Sequence, residues 1–221
     1  MTEFLLGILS SMAASAILVV LGLLRGARPL WWLIAAFSRY TGTGLGRVYR
    51  HQSAAEQDLA HDLRRARWVK VLAGRGNVLT REVFSSLWSE GPSPQSIQIL
   101  LPDPDPREDS WLDRRSQEVS RFDPGFTRGL LRSQVRTNIE YLARVTQTRD
   151  GIEVRTYNLP NNCRVIATDR AAYLTFYSDS AHGRNSPCLY ARAPGILYTA
   201  ALRQFDATWA HATPTLPTLL P

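Results

Sequence analysis

The sequence predicts an α/β domain, a mixed sheet flanked by helices, preceded by one transmembrane helix and an interfacial and linker helix. Three observations carry this expectation: an uncharged apolar run at residues 4–24, strand-like and helix-like segments that alternate between 68 and 148, and closely spaced strand-like segments from 152 to 177 ahead of an amphipathic stretch. The 221 residues, 44% hydrophobic and 20% charged, suffice for one globular domain of ordinary size with a smaller appendage. A net charge of +7 and a pI near 9.9 favour anionic partners: nucleic acid, nucleotides or acidic lipid. Cys163 and Cys188 show neither metal-ligand nor disulfide spacing and read as reduced core thiols, so neither a cofactor nor a metal site is expected.

Residues 4–24 contain no charge and no proline, and as a helix they reach about 31 Å, the thickness of a hydrocarbon core. Only Met1, Thr2 and Glu3 precede this run, whereas a cleaved signal peptide carries basic residues there; the run reads as an anchor spanning 1–28. Arg25, Arg28, Arg39, Arg47 and Arg50 follow it with no acidic residue among them. The positive-inside rule therefore places the amino terminus outside and the remaining chain on the cytoplasmic side of a bacterial inner membrane. Gly7, Ser11 and Ser15 recur every four residues, a small-residue face along which anchors can pair into a homo-oligomer. After Pro29, the short apolar stretch 30–37 with Trp31 and Trp32 suits the headgroup level, with a tight hairpin of two helices as the alternative. Ser53 and Glu56 form a capping-box pattern ahead of the stripe Leu59, Leu63 and Ala66, which gives 29–67 as an interfacial helix and a linker helix.

The cytoplasmic domain is expected at 68–212, with a tail at 213–221. Within it, 68–73 and 96–101 read as strands around a helix at 80–89, and helices follow at 106–120 and 124–148 with Leu130, Leu131, Val135, Ile139 and Leu142 spaced to face a core. Strands at 152–157, 163–168 and 171–177 and a helix at 196–210 complete the pattern.

Within this pattern, Asn162-Cys163-Arg164-Val165-Ile166-Ala167-Thr168-Asp169 has the spacing H-x-K-x4-D, with Asn162 in the histidine position, Arg164 in the lysine position and Asp169 kept. Together with the Gly74-Arg75-Gly76 turn after the first strand and the Pro102-Asp103-Pro104-Asp105 end of the second, it resembles a single-motif phospholipase D-like domain, most nearly the degenerate, sensor-like versions. The resemblance implies a phospholipase D-like sheet. It also implies lost catalysis, because an amide cannot form the phosphohistidine intermediate and Phe176, Tyr177 and Ser180 stand where the active family has Gly-Ser and then Asn. No catalytic residue is assigned. Asn162, Arg164 and Asp169 are the candidate ligand-binding residues, with Asp169 orienting the Arg164 guanidinium, and Arg75, His182 and Arg184 adding donors from neighbouring loops.

Each residue has a plainer reading: Arg164 and Asp169 as an ordinary ion pair, Asn162 as a turn former, Arg75 in a connecting turn, and His182 in a solvated loop. His182 is also the one candidate to replace the missing nucleophile. Two function classes follow. One is a membrane-anchored, catalytically degenerate sensor and effector that binds a phosphate-bearing ligand, nucleotide or nucleic acid and signals to its membrane segment. Its architecture is analogous to membrane effectors of bacterial anti-phage defence and leaves room for a protein or nucleoprotein partner from a neighbouring gene. The other is a membrane-bound phosphodiesterase, nuclease or phospholipase with an altered site.

Overall fold

A computed structural model describes residues 36–80, 82–88, 94–106, 110–177 and 182–215, together with positions 15 and 34. Apart from position 15, the expected anchor at 4–24, including Gly7 and Ser11 of its small-residue face, lies outside the described residues, as does the tryptophan pair Trp31 and Trp32. Among the described residues no helix is long and apolar enough to cross a membrane.

Eight strands form one sheet in the order β1-β7-β6-β5-β2-β3-β4-β8. They are β1 (Leu45–Tyr49), β2 (Trp68–Leu72), β3 (Ser96–Pro102), β4 (Ile152–Tyr157), β5 (Cys163–Thr168), β6 (Ala171–Phe176), β7 (Cys188–Arg192) and β8 (Thr213–Pro214). Helices α1 (Glu56–Arg64), α2 (Glu82–Trp88), α3 (Trp111–Ser120), α4 (Arg128–Thr148) and α5 (Ile196–Ala210) cover its faces. Strands β2, β3 and β4 run parallel, which requires crossovers, and α2 and the α3-α4 pair supply them. The remaining pairings are antiparallel.

Alternation along the strands sorts the core into two layers. Val69, Val71, Ile97, Ile99, Leu101 and Ile166 point toward α1, α2 and α4, meeting Leu59, Leu63, Phe84, Leu87 and Leu142. Leu72, Leu100, Val165, Ala167 and Leu174 point the other way and meet Tyr198, Ala201 and Phe205 of α5. Because helices cover both faces, β5 buries five of its six residues, an apolar run that carries Arg164 near its start and Thr168 at its end. A third cluster joins α3 to α4 through Trp111, Leu112, Val119, Phe126, Leu131 and Val135.

Two expectations are corrected here. Residues 45–49 are not part of a linker: they form edge strand β1 against β7, with Arg47 opposite Tyr190. The Ser53 and Glu56 capping box does not form either. Residues 52–55 make a 3-10 turn without a side-chain cap, and α1 follows, packed on the sheet by Leu59 and Leu63 rather than bridging away from it.

The direction in which strands are laid down reverses at β2. Strands β3 and β4 extend the sheet on one side of it, and the chain then crosses to place β5 on the other. In α/β sheets a crevice opens at such a switch point beyond the carboxyl ends of the strands. Here the carboxyl end of β2 and the amino end of β5 coincide, since Leu72 pairs with Val165.

Candidate functional site

A cavity of about 300 Å3 lies at this switch point, lined by the 73–78 loop after β2, by Arg164 of β5, by Tyr177 and the 182–184 loop, and by residues of the 52–56 segment and of α3. The loop is held open by buried polar contacts. Gly74 donates its backbone N–H to the Tyr177 hydroxyl at 3.0 Å, and Ala73 O accepts from the Tyr157 hydroxyl at 3.1 Å. Asn138 of α4 donates to Arg75 O and to Asn77 Oδ1, both at 2.8 Å. Gly76 turns the loop at φ +87°, in the left-handed region, and a Cβ there would meet Leu101 Cδ2 at 2.8 Å.

Arg164 forms part of the cavity floor. It lies on the same face of β5 as Ile166, and its residue is 8% exposed. Its Nη2 donates to Thr175 Oγ1 on β6 at 3.0 Å, while its buried Nε has no hydrogen-bond partner. Among the described residues no carboxylate lies within ion-pair distance of it. Burial pulls the Arg164 pKa below the usual arginine value, against the fields of Tyr177, Cys188 and Glu56, which raise it. A buried cation without a paired anion costs several kcal/mol in general, so this position is not one that packing alone would select.

Three more arginines line the cavity, Arg75, Arg115 and Arg184, against one carboxylate, Glu56. Arg75 donates to Gln134 Oε1 at 3.1 Å with its guanidinium carbon 5.4 Å from the Phe126 ring centre. Arg115 pairs with Glu118 at 2.8 Å and lies 5.6 Å from the Tyr177 ring centre. Arg184 is exposed in the 3-10 turn Gly183–Asn185. His182 Nε2 sits 3.1 Å from Asp123 Oδ2, with its ring edge-on to Phe122 at 5.5 Å. The assembly offers convergent cationic donors over a polar and aromatic wall, the chemistry of anion recognition.

The structure thus brings Arg75, Arg164, His182 and Arg184 around one cavity, and leaves Asn162 and Asp169 outside its lining. Asn162 is exposed before β5, and its backbone carbonyl accepts from Tyr177 N at 2.9 Å. The amide that shapes the turn is Asn161, 4% exposed, which donates to the Tyr157 hydroxyl at 2.9 Å and accepts from Cys163 N at 3.2 Å. Asp169 lies at the far end of β5, five residues or about 16 Å along the strand from Arg164, and cannot orient its guanidinium. It accepts instead from Arg67 N at 2.8 Å and Arg67 Nε at 2.9 Å. Burial works to raise the Asp169 pKa, but the hydrogen bonds from Arg67 outweigh it and hold the carboxyl below its usual value. Trp111, Arg115 and Glu56 enter the site from elements whose sequence carries no site signal, and Tyr177 enters from the position after β6. Among the described residues no group of three potential metal ligands occurs, and Asp105 is engaged by Arg136 at 2.6 Å.

The fold and site define a mixed α/β domain with an arginine-lined pocket at the sheet's switch point. No family model and no curated protein matches the sequence. The structure is similar to solved chains that include TrmBL2, an archaeal chromatin protein whose structure shows a novel mode of DNA binding, at TM-score 0.45 and 10% identity over 76% of this chain and 53% of that one. It is also similar to NucT from Helicobacter pylori, at TM-score 0.40 and 14% identity over 76% of this chain and 98% of that one. The matched part of this chain thus spans about half the length of TrmBL2.

Proposed function

We propose that this chain is a membrane-anchored, catalytically degenerate phospholipase D-like protein. Its cytoplasmic domain binds a phosphate-bearing ligand, a nucleotide or nucleic acid, and passes the bound state to the membrane segment. The observation that carries this reading is the Arg164 guanidinium, buried at the floor of a cavity with, among the described residues, Nε unpartnered and no carboxylate beside it. An anion in the cavity would neutralise it and gain charge-assisted hydrogen bonds. In the histidine position of the motif the chain carries an amide, Asn162, which offers no nucleophile, and this residue stands outside the cavity. A membrane helix joined to a ligand-binding domain is the architecture of a sensor and effector, and anti-phage defence is the setting we propose for it by that analogy.

The test measures binding of labelled nucleotides and short nucleic acids at two salt concentrations, for wild type and Arg164→Ala. Binding that falls about ten- to a hundredfold in the variant supports the reading. Equal binding of every anion by a folded variant refutes it. A reporter fused to the carboxyl terminus should behave as cytoplasmic; periplasmic activity would reverse the proposed topology.

One observation favours a second reading, a phosphodiesterase. His182 is held by Asp123 and lines the same cavity as Arg164, an arrangement suited to a general base. Turnover of a generic phosphodiester by the purified protein, lost in His182→Ala, would replace the first reading with this one.

A further inference from the structure

We infer that the pocket selects a terminal phosphate monoester, as on a mononucleotide or sugar phosphate, over the internal phosphodiesters of a nucleic acid chain. This rests on the reading that Arg164 holds an anion. The depth of Arg164 is the first reason. At 8% exposure its guanidinium lies beneath the cavity wall, where a group protruding from the end of a molecule can reach it. An internal phosphodiester is flanked by chain on both sides and requires an open groove, such as the basic tracks with stacked bases that hold single strands.

The second reason is the way the cations are distributed. Arg75, Arg115, Arg164 and Arg184 converge on one cavity of about 300 Å3, with Arg115 also paired to Glu118. A cavity of this size falls at the small end of sites for small molecules. A nucleic acid footprint would instead spread its cations along a face.

Charge is the third reason. Among the described residues four arginines line the cavity with one carboxylate, Glu56, while Glu118 beside it pairs with Arg115, which leaves positive charge in excess. A terminal phosphate carries roughly −1.5 to −2 at neutral pH, whereas each internal diester carries a single negative charge, so the terminal group matches the excess better. Trp111 and Tyr177 supply an aromatic wall beside the anion site against which the rest of a nucleotide can lie.

The experiment uses the full chain in a maltoside detergent, which carries no phosphate of its own. Binding is measured for adenosine, for adenosine monophosphate, and for one 12-nucleotide single strand with and without a 5′-phosphate, on wild type, Arg164→Met and Arg184→Ala. The expected result is binding of the monophosphate and of the phosphorylated strand at least about tenfold tighter than of adenosine and the unphosphorylated strand. That preference should be lost in Arg164→Met and reduced a few-fold in Arg184→Ala, whose exposed side chain leaves the fold intact. If both strands bind equally and in an Arg164-dependent way while the monophosphate does not, the terminal-phosphate inference is overturned and the anion-binding reading stands. If no anion binds in a way that depends on Arg164 or Arg184, both fall.

Discussion

Asp169 and Arg67, 102 residues apart, form a closed pair in which the carboxylate accepts from both the backbone and the side chain of the arginine. This pair joins the end of β5 to the start of β2 and leaves the Asp169 side chain only 5% exposed. Its role is structural. Arg67 is itself 75% exposed, which screens the charge interaction, so Asp169→Asn is expected to cost about 1 kcal/mol, a few degrees in Tm. The folded-state pKa of Asp169 lies below its unfolded value. Its contribution is therefore present above about pH 4 and is lost as pH falls through the folded value. Thermal unfolding at pH 7 should separate wild type from variant, and the gap should narrow as pH falls below about 4.

Strand β1 makes a prediction about where the domain begins. Gly44 O accepts from Arg192 N at 2.8 Å, and Gly42 O and Thr43 O accept from Ile196 N and Leu197 N at 3.0 and 3.1 Å, which caps the amino end of α5. Tyr49 and Arg47 of β1 both reach Asp58 of α1. A fragment starting at residue 53 lacks all of this and leaves β7 as an unpaired edge. Compared with a fragment starting at residue 36, it should unfold about 5 to 10 °C lower and aggregate more readily, as read by calorimetry and light scattering.

What was legible in the sequence follows from where each signal resides. Strands β2 to β6 and helix α5 announce themselves by apolar residues at strand or helix spacing, because both sheet faces are covered and the pattern is complete within each segment. Strand β1 does not. Leu45–Tyr49 contains a glycine and an arginine at an edge, and its strand character comes from pairing with residues more than 130 positions later. The site divides the same way. Arg75 between two glycines and Arg164 at a motif position carry local marks, whereas Trp111, Arg115 and Glu56 look like ordinary helix residues until α1 and α3 dock on the sheet. Asp169 was assigned to the site because spacing gives distance along a strand but not which end faces a ligand.

Gly76 ties loop geometry to binding. At φ +87° an alanine is strained, and its Cβ would press on Leu101 at 2.8 Å. Gly76→Ala should destabilise by about 1 to 3 kcal/mol and displace the 73–78 loop. Ligand affinity should fall with it, whereas Gly129→Ala, where a Cβ meets nothing, serves as a control without either effect.

Glu56 opposes an anion in the pocket. It is exposed at the start of α1, lines the cavity and acts on Arg164 through its charge. Removing it should tighten binding of a phosphate monoester. Glu56→Gln is expected to lower Kd a few-fold at low salt, with the gain shrinking as ionic strength rises past about 0.1 M, where charges separated by more than about 10 Å are screened. Titrations at two salt concentrations decide it, and unchanged affinity at both would mean that the anion does not sit within reach of Glu56.

Arg164 sets stability against function most directly. Without ligand the chain bears the cost of a buried guanidinium held, among the described residues, by Thr175 alone, with Nε unpartnered. Replacing a buried charge by an apolar side chain of similar length is often neutral or stabilising. Arg164→Met fills much of the same space among Ile166, Cys188 and Tyr173 on that face of the sheet and removes the unpaired charge. It is therefore expected to raise the ligand-free Tm by about 2 to 4 °C for each kcal/mol recovered, while abolishing the stabilisation that a phosphate monoester gives to wild type. Arg164→Ala should behave differently, losing both binding and stability, because it leaves a void where the methionine leaves none. Thermal melts of the three proteins with and without adenosine monophosphate separate the cases. A methionine variant less stable than wild type in the absence of ligand would make Arg164 a structural residue, satisfied by its surroundings, and would remove the reason for placing an anion beside it.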